Sequence, residues 1–261
     1  MQTRPIFYDV LEQPATTFVA LINVCIFVYL NSKNIDYPHV GYSYQKVVVE
    51  NEWWRCISAS FSHLSIMHIA FNLYSLWSLG FIEKHIGLIE YFKITYLLVL
   101  LSMLCVTAMY HVLIFRFSRE SYRTSMAIGF SCVVFGWMTI VAAMQTHSFL
   151  NFFGVRIPVV IAPFGSLIFT SLLIPQASFI GHLAGIIIGL IYAIGLLSFV
   201  DTYMFLNLLL LTVIFAVINV KMTVPSLLPF IRIENVNDHP APTTPLIENG
   251  VVRHVPIPDI V

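Results

Sequence analysis

Ser131, His182, His68 and Asn72 stand inside strongly apolar stretches of this chain, where hydroxyl, amide and ionisable groups are costly and are by default candidates for function. A serine hydroxyl is a weak nucleophile until an adjacent base takes its proton, and a neutral histidine can take and return that proton near pH 7. Acyl transfer further needs donors aimed at the developing oxyanion. His68 and Asn72, four residues apart, share a helix face and are neutral donors, and the backbone N–H of Ser131 at a helix start would be a third. Each residue also has a structural reading. Ser131 lies in Gly129-Phe130-Ser131-Cys132-Val133-Val134-Phe135-Gly136, and serine and glycine let membrane helices approach closely. Either histidine can simply satisfy a neighbouring carbonyl. His63 lies off the His68 face and reads as structural. No Asp or Glu stands near His182 to complete a triad. Phe135, four residues after Ser131, either fills the core or stacks on the imidazole.

The elements that must position these residues are membrane helices. The 261 residues are 58% hydrophobic and 10% charged, with mean hydropathy +0.85, against roughly 45–50% and 25% in soluble domains. With 13 Lys+Arg against 13 Asp+Glu there is no basic field for nucleic acid. Cys25, Cys56, Cys105 and Cys132 lie far apart without C-x-x-C spacing, which indicates neither a disulfide framework nor a metal site; no cofactor is expected. Spanning a bilayer takes about 20 apolar residues, and six segments qualify, near 16–31, 62–83, 92–115, 129–147, 157–174 and 179–199, with 203–220 as a candidate seventh. The fold class is therefore all-α, a polytopic bundle: a short segment 1–15, which lacks a signal-peptide or transit-peptide pattern, a membrane domain 16–200, the candidate helix 201–220 and a proline-rich tail 221–261 expected to be disordered. Residues 31–61 are too long for an ordinary helix connection. Their alternating Tyr, Trp and charged residues, with Trp53, Trp54 and Arg55, suggest a structured interfacial loop.

Segments two, four and six are separated by two crossings each, so they run the same way and start on one side. His63, His68 and Asn72, then Gly129 and Ser131, then His182 therefore share one depth. Gly185 and Gly189, three and seven residues after His182, lie on its face and permit close approach by another helix.

These residues resemble the rhomboid intramembrane serine proteases over about residues 15–200. His-x4-His-x3-Asn appears as His63, His68 and Asn72; Gly-x-Ser as Gly129 and Ser131; His-x2-Gly-x3-Gly as His182, Gly185 and Gly189. Trp54-Arg55 and the Gly80–Glu83 pair match as well. The resemblance implies a rhomboid-like bundle in which Ser131 is nucleophile, His182 general base, and His68 and Asn72 oxyanion stabilisers, with Gly129, Phe135, Gly185, Gly189, Trp54, Arg55 and His63 in support. It implies an endopeptidase acting on transmembrane-protein substrates in the lipid bilayer. Segment five carries Pro158, Pro163 and Pro175, which weaken helices, and is expected to form part of a lateral gate. Phe179 to Gly185 is similar to the endomembrane subgroup, placing the protein in the endoplasmic reticulum or Golgi, with the plasma membrane as alternative. Most active members have glycine where this chain has Cys132, so the alternative is a rhomboid-like protein that binds transmembrane segments without cutting them. A transporter is the weaker third class. The family keeps its N-terminus cytosolic, whereas Lys and Arg in the connections lean the other way: Arg4, Lys84, Lys93 and Arg156 against Lys33, Lys46, Arg55, Arg116, Arg119 and Arg123. The expected orientation follows the family. A protein partner for the tail is a further expectation.

Overall fold

The protein is described by a computed structural model over residues 6–145, 147–152, 155–173, 177–231, 243–248 and 251–256. A short α1 (Ile6–Glu12) leads into α2 (Pro14–Ser32). The first loop then forms α3 (Tyr37–Val40), a π-helical turn (Gln45–Val49) and α4 (Arg55–Phe61). Next come α5 (Ile66–Leu79), α6 (Phe81–Ile86), the long α7 (Leu88–Phe115), α8 (Ser121–Thr124) and α9 (Ser131–Met144). A two-stranded ladder, β1 (Phe149–Phe152) with β2 (Val155–Pro158), precedes α10 (Ala162–Leu173), α11 (Phe179–Ala193) and α12 (Thr202–Thr223).

Among the described residues three helices, α2, α7 and α12, are long and apolar enough to cross a membrane, and a fourth span exists if α4 and α5–α6, which meet at 90°, are taken together. The windows 129–147, 157–174 and 179–199 overstate their helices: α9 has 14 residues, α10 12 and α11 15. At 1.5 Å per residue α9 and α11 are roughly 21–23 Å long, short of the ~30 Å hydrocarbon core. The reasons are local. Ser178 caps α11, its hydroxyl accepting the Gly181 N–H at 3.0 Å, and after Ala193 the chain turns through Gly195 at φ +80°. Pro158 closes β2, and Pro163 sits in the first turn of α10, where it is tolerated. Pro175 lies outside the described residues.

The tail departs from the expected disorder in one respect. Thr243–Glu248 pairs antiparallel with Val251–Pro256 as β3 and β4, two runs rich in Thr, Ile and Val separated by Asn249-Gly250 in the sequence, a composition that favours hairpins. Residues 232–242 lie outside the described residues.

The core sits around α7 and α9. Tyr91 and Trp137 stack with centroids 4.6 Å apart, and the Trp137 indole N–H donates to Thr95 Oγ1 at 3.1 Å. The start of α2 is fixed by Glu83. Its buried carboxylate accepts the Ala15 and Thr16 backbone N–H groups at 2.8 Å and the Thr16 hydroxyl at 2.9 Å. Pro14 occupies the first helical position, so these are N–H groups without intrahelical partners, and a negative charge there also opposes the helix dipole. Gly80 makes the approach possible, since a Cβ there would lie 2.0 Å from Gln13 Oε1 and 2.9 Å from Thr16 Cγ2.

Candidate active site

α9 and α11 pack in parallel without side chains between their backbones. A Cβ at Gly185 would lie 2.0 Å from the Cys132 carbonyl oxygen, and one at Gly189 2.6 Å from the Gly136 carbonyl oxygen. The contacts climb both helices in step, so the two start at one level. That register brings His182 Nε2 to 2.9 Å from Ser131 Oγ. His182 is buried and Ser131 partly accessible. The His182 ring stacks on Phe135, with centroids 4.3 Å apart and planes at 19°. Its Nδ1 is buried with no hydrogen-bond partner among the described residues.

The approach to α9 is built from α4, α5 and the first loop. Gly129 has φ +113°, and a Cβ there would lie 2.5 Å from His68 Cε1 and 2.7 Å from His68 Nε2. Only glycine combines that angle with that contact. His68 therefore stands against the residue two before Ser131. His63 is fully buried, packs edge-on to His68 at 4.9 Å, and accepts the Phe130 N–H through Nε2 at 3.3 Å. Asn72 is buried. Its Nδ2 donates to the His68 carbonyl at 2.9 Å, and its Oδ1 has no partner among the described residues. One of the two N–H donors of Asn72 is thus engaged with its own helix. Ser131 opens α9, so the first N–H groups of that helix point out of its end.

The Trp54 and Arg55 side chains meet within the first loop. The buried Arg55 guanidinium lies over the Trp54 ring at 4.8 Å, donates to the Gly41 and Pro38 carbonyls at 3.1 and 3.3 Å, and pairs with Glu52. It pins the loop on which Tyr42 bridges Ala127, each N–H donating to the other's carbonyl at 2.9 Å. At the end of α4 the Ala59 carbonyl accepts the Gly129 N–H at 2.9 Å.

Cys132 is buried in ordinary helical geometry, with its sulfur 3.2 Å from a Cβ position at Gly181 and its side chain packed among Met103, Val106 and Ala184. No special backbone angle is asked of it. Beside it lies a cavity of about 20 Å³, enough for one water, lined in part by Ser60, Ser131 and Ser178. Ser178 was not singled out from the sequence. Its signal was a capping serine three residues before Gly181.

The arrangement is a hydroxyl held by an imidazole, with helix-end N–H groups and a second imidazole near it, suited to acyl transfer. The family described as Rhomboid domain matches residues 50–199. The chain is similar to Rhomboid-like protein 14, mitochondrial, of Arabidopsis thaliana, 28% identical over 194 residues, covering 71% of this chain and 57% of that protein. It is similar to Rhomboid-related protein 4 of Homo sapiens, 29% identical over 184 residues, 70% of this chain and 57% of that protein. It is also similar to Rhomboid-type serine protease 2 of Debaryomyces hansenii, 39% identical over 85 residues and 30% of each chain. The chain thus spans a little over half the length of the first two relatives.

Proposed function

The chain belongs to the rhomboid family, and on that premise we propose that it is an integral membrane serine endopeptidase that cleaves transmembrane or juxtamembrane segments of other membrane proteins. The observation that carries this reading is the 2.9 Å contact between His182 Nε2 and Ser131 Oγ on helices locked by Gly185 and Gly189. Nε2 takes the hydroxyl proton as Oγ attacks the substrate carbonyl. The negative oxygen is met by N–H groups at the start of α9, with His68 and the second N–H of the Asn72 amide as further donors. The imidazolium then returns its proton to the leaving amine. Water, activated by the same imidazole, hydrolyses the acyl-enzyme and regenerates Ser131.

Substrates reach the site through α10. Leu167, packed with Phe135 and Ile186, and Pro163 are its buried side chains among the described residues, while Ile168, Phe169 and Leu172 are exposed. An element held by so few buried contacts opens at low cost. An engineered disulfide between α10 and α5 should reduce cleavage of a membrane substrate, and unchanged cleavage would remove the gate. The site side of the bundle faces the lumen of an endomembrane compartment in this reading, and glycosylation-site scanning of residues 31–61 checks it.

The binding-only alternative drew on Cys132, whose helical backbone and inward packing give it no conflict with Ser131. Co-expression with a model rhomboid substrate decides between the two. Cleavage by the wild type that is lost in Ser131→Ala and His182→Ala supports the protease; cleavage that survives Ser131→Ala overturns the mechanism.

A further inference from the structure

α12 is weakly buried, with Phe205 its one deeply buried side chain among the described residues, yet it is tied to the rest of the bundle at three levels. Phe205 packs with Leu97 and Tyr96 near its start, and Thr212 Oγ1 meets Tyr96 Oη at 2.6 Å midway. Near its end Asn219 makes two bonds to the backbone of the first loop. Its Oδ1 accepts the Trp54 N–H at 3.1 Å, and its Nδ2 donates to the Asn51 carbonyl at 2.8 Å. Around the middle tie the helix stands off from α4 and α7, leaving an apolar groove of about 280 Å³ lined by Cys56, Ile57, Leu104, Leu208 and Phe215. Beyond that groove the Asn219 amide ties α12 to the loop.

The bonded backbone is an unusual one to leave unheld. Asn51 adopts φ +60°, and Trp54 opens α4, so its N–H is a helix-end donor without an intrahelical partner. Asn219 thus caps α4 from another helix and fixes the strained turn before it. α4 has only seven residues, and its far end holds the site: the Ala59 carbonyl takes the Gly129 N–H, and Ser62 leads into His63, which takes the Phe130 N–H. A tilt of α4 therefore moves both backbone anchors of the two residues that precede Ser131.

Resting on the protease reading above, we propose that Asn219 is a positioning residue for the nucleophile, acting through Trp54, α4 and Gly129, so that α12 is a working part of the catalytic domain. The juxtaposition that carries this is a side chain of α12 bonded to both ends of the turn that starts α4, while the end of α4 is bonded to the residue two before Ser131.

The test uses the purified full chain in detergent, as wild type, Asn219→Ala and Asn219→Asp, the last keeping an acceptor for Trp54 and losing the donor to Asn51. A fluorophosphonate probe, which forms a Ser131 Oγ–P bond with loss of fluoride, measures the nucleophile per folded molecule. Misplacement by about an ångström costs on the order of a hundredfold in well-ordered sites, so roughly a tenfold slower labelling is expected for Asn219→Ala and a smaller loss for Asn219→Asp. Backbone hydrogen exchange should quicken both at 54–61 and at 127–131. Equal labelling rates, or faster exchange confined to 51–55, would overturn the proposal. If the wild type is not labelled, the protease reading fails, and the exchange at 127–131 alone decides whether Asn219 reaches the site. Should Asn219→Ala not fold, Asn219→Asp carries the same two readouts.

Discussion

The Phe135 ring lies nearly flat against the His182 imidazole, centroids 4.3 Å apart, on the face of α9 that also carries Ser131. With His182 Nδ1 lacking a partner among the described residues, the orientation that a carboxylate gives in a triad falls here to the stack and to the Ser131 contact. Such aromatic pairs are worth about 0.5–1.5 kcal/mol beyond burial, up to about tenfold in a rate. Phe135→Leu, which keeps apolar bulk and loses the ring, should lower kcat by about five- to tenfold with KM little changed. Phe135→Tyr should keep most of the activity. Steady-state cleavage of a fluorogenic transmembrane peptide reads both.

Gly185→Ala should be far more damaging than its one added methyl suggests. The new Cβ would stand 2.0 Å from the Cys132 carbonyl oxygen, which is backbone and cannot rotate aside, so α9 and α11 would have to part by about 1 Å. His182 lies three residues earlier on the same face and moves with it. A displacement of that size in a site of this kind costs about a hundredfold. Gly189→Ala, whose Cβ would meet the Gly136 carbonyl oxygen one turn further from Ser131, should lose less. Comparing the two variants at equal folded concentration checks whether distance from Ser131 sets the loss.

The members of the candidate site were legible because polar types in apolar stretches stand out. Ser131, His182, His68 and Asn72 announce themselves by being there at all, and Gly185 and Gly189 by their spacing from His182. What connects them was not legible. The Arg55 bonds to Gly41 and Pro38 and the Asn219 bonds to Asn51 and Trp54 join a side chain to main-chain groups, which carry no residue-type signature. Asn219 was visible only as an interruption in an apolar run. Helix lengths were misread for a related reason: hydropathy counts apolar residues beyond a cap, so the stretch after Ala193 looked like α11 continued until the turn at Gly195 is seen.

Glu83→Ala should act on stability before chemistry. It would leave the Ala15 N–H, the Thr16 N–H and the Thr16 hydroxyl without their acceptor at the buried start of α2. Each unsatisfied donor costs about 1–3 kcal/mol, so a loss of about 3–5 kcal/mol is expected after partial relaxation. Glu83→Gln keeps one oxygen and loses the charge that opposes the helix dipole, so it should fall between. Thermal unfolding in detergent should rank wild type above Gln above Ala, with the rate per folded molecule close to wild type in both.

Cys132→Gly tests whether the side chain beside the proposed nucleophile limits the proposed reaction. The thiol is packed against Gly181 and forms part of the wall of the 20 Å³ cavity next to Ser131. Its removal enlarges a space that already fits one water, while the helical backbone at 132, in the first turn of α9, has no need of glycine and loses up to about 1 kcal/mol relative to alanine. Two effects therefore oppose each other: easier entry of water to the acyl-enzyme, and a looser first turn of α9 together with a lost buried side chain. The second should dominate stability, with a fall of about 2–3 kcal/mol including the lost burial. The first should appear only in the hydrolysis step, as a shorter-lived acyl-enzyme, by no more than a few-fold because the existing cavity already admits a water. Single-turnover measurement of acylation and deacylation separates them: acylation unchanged or slightly slower and deacylation faster is the expected pattern. A large gain in acylation would show instead that the Cys132 side chain crowds the oxyanion region.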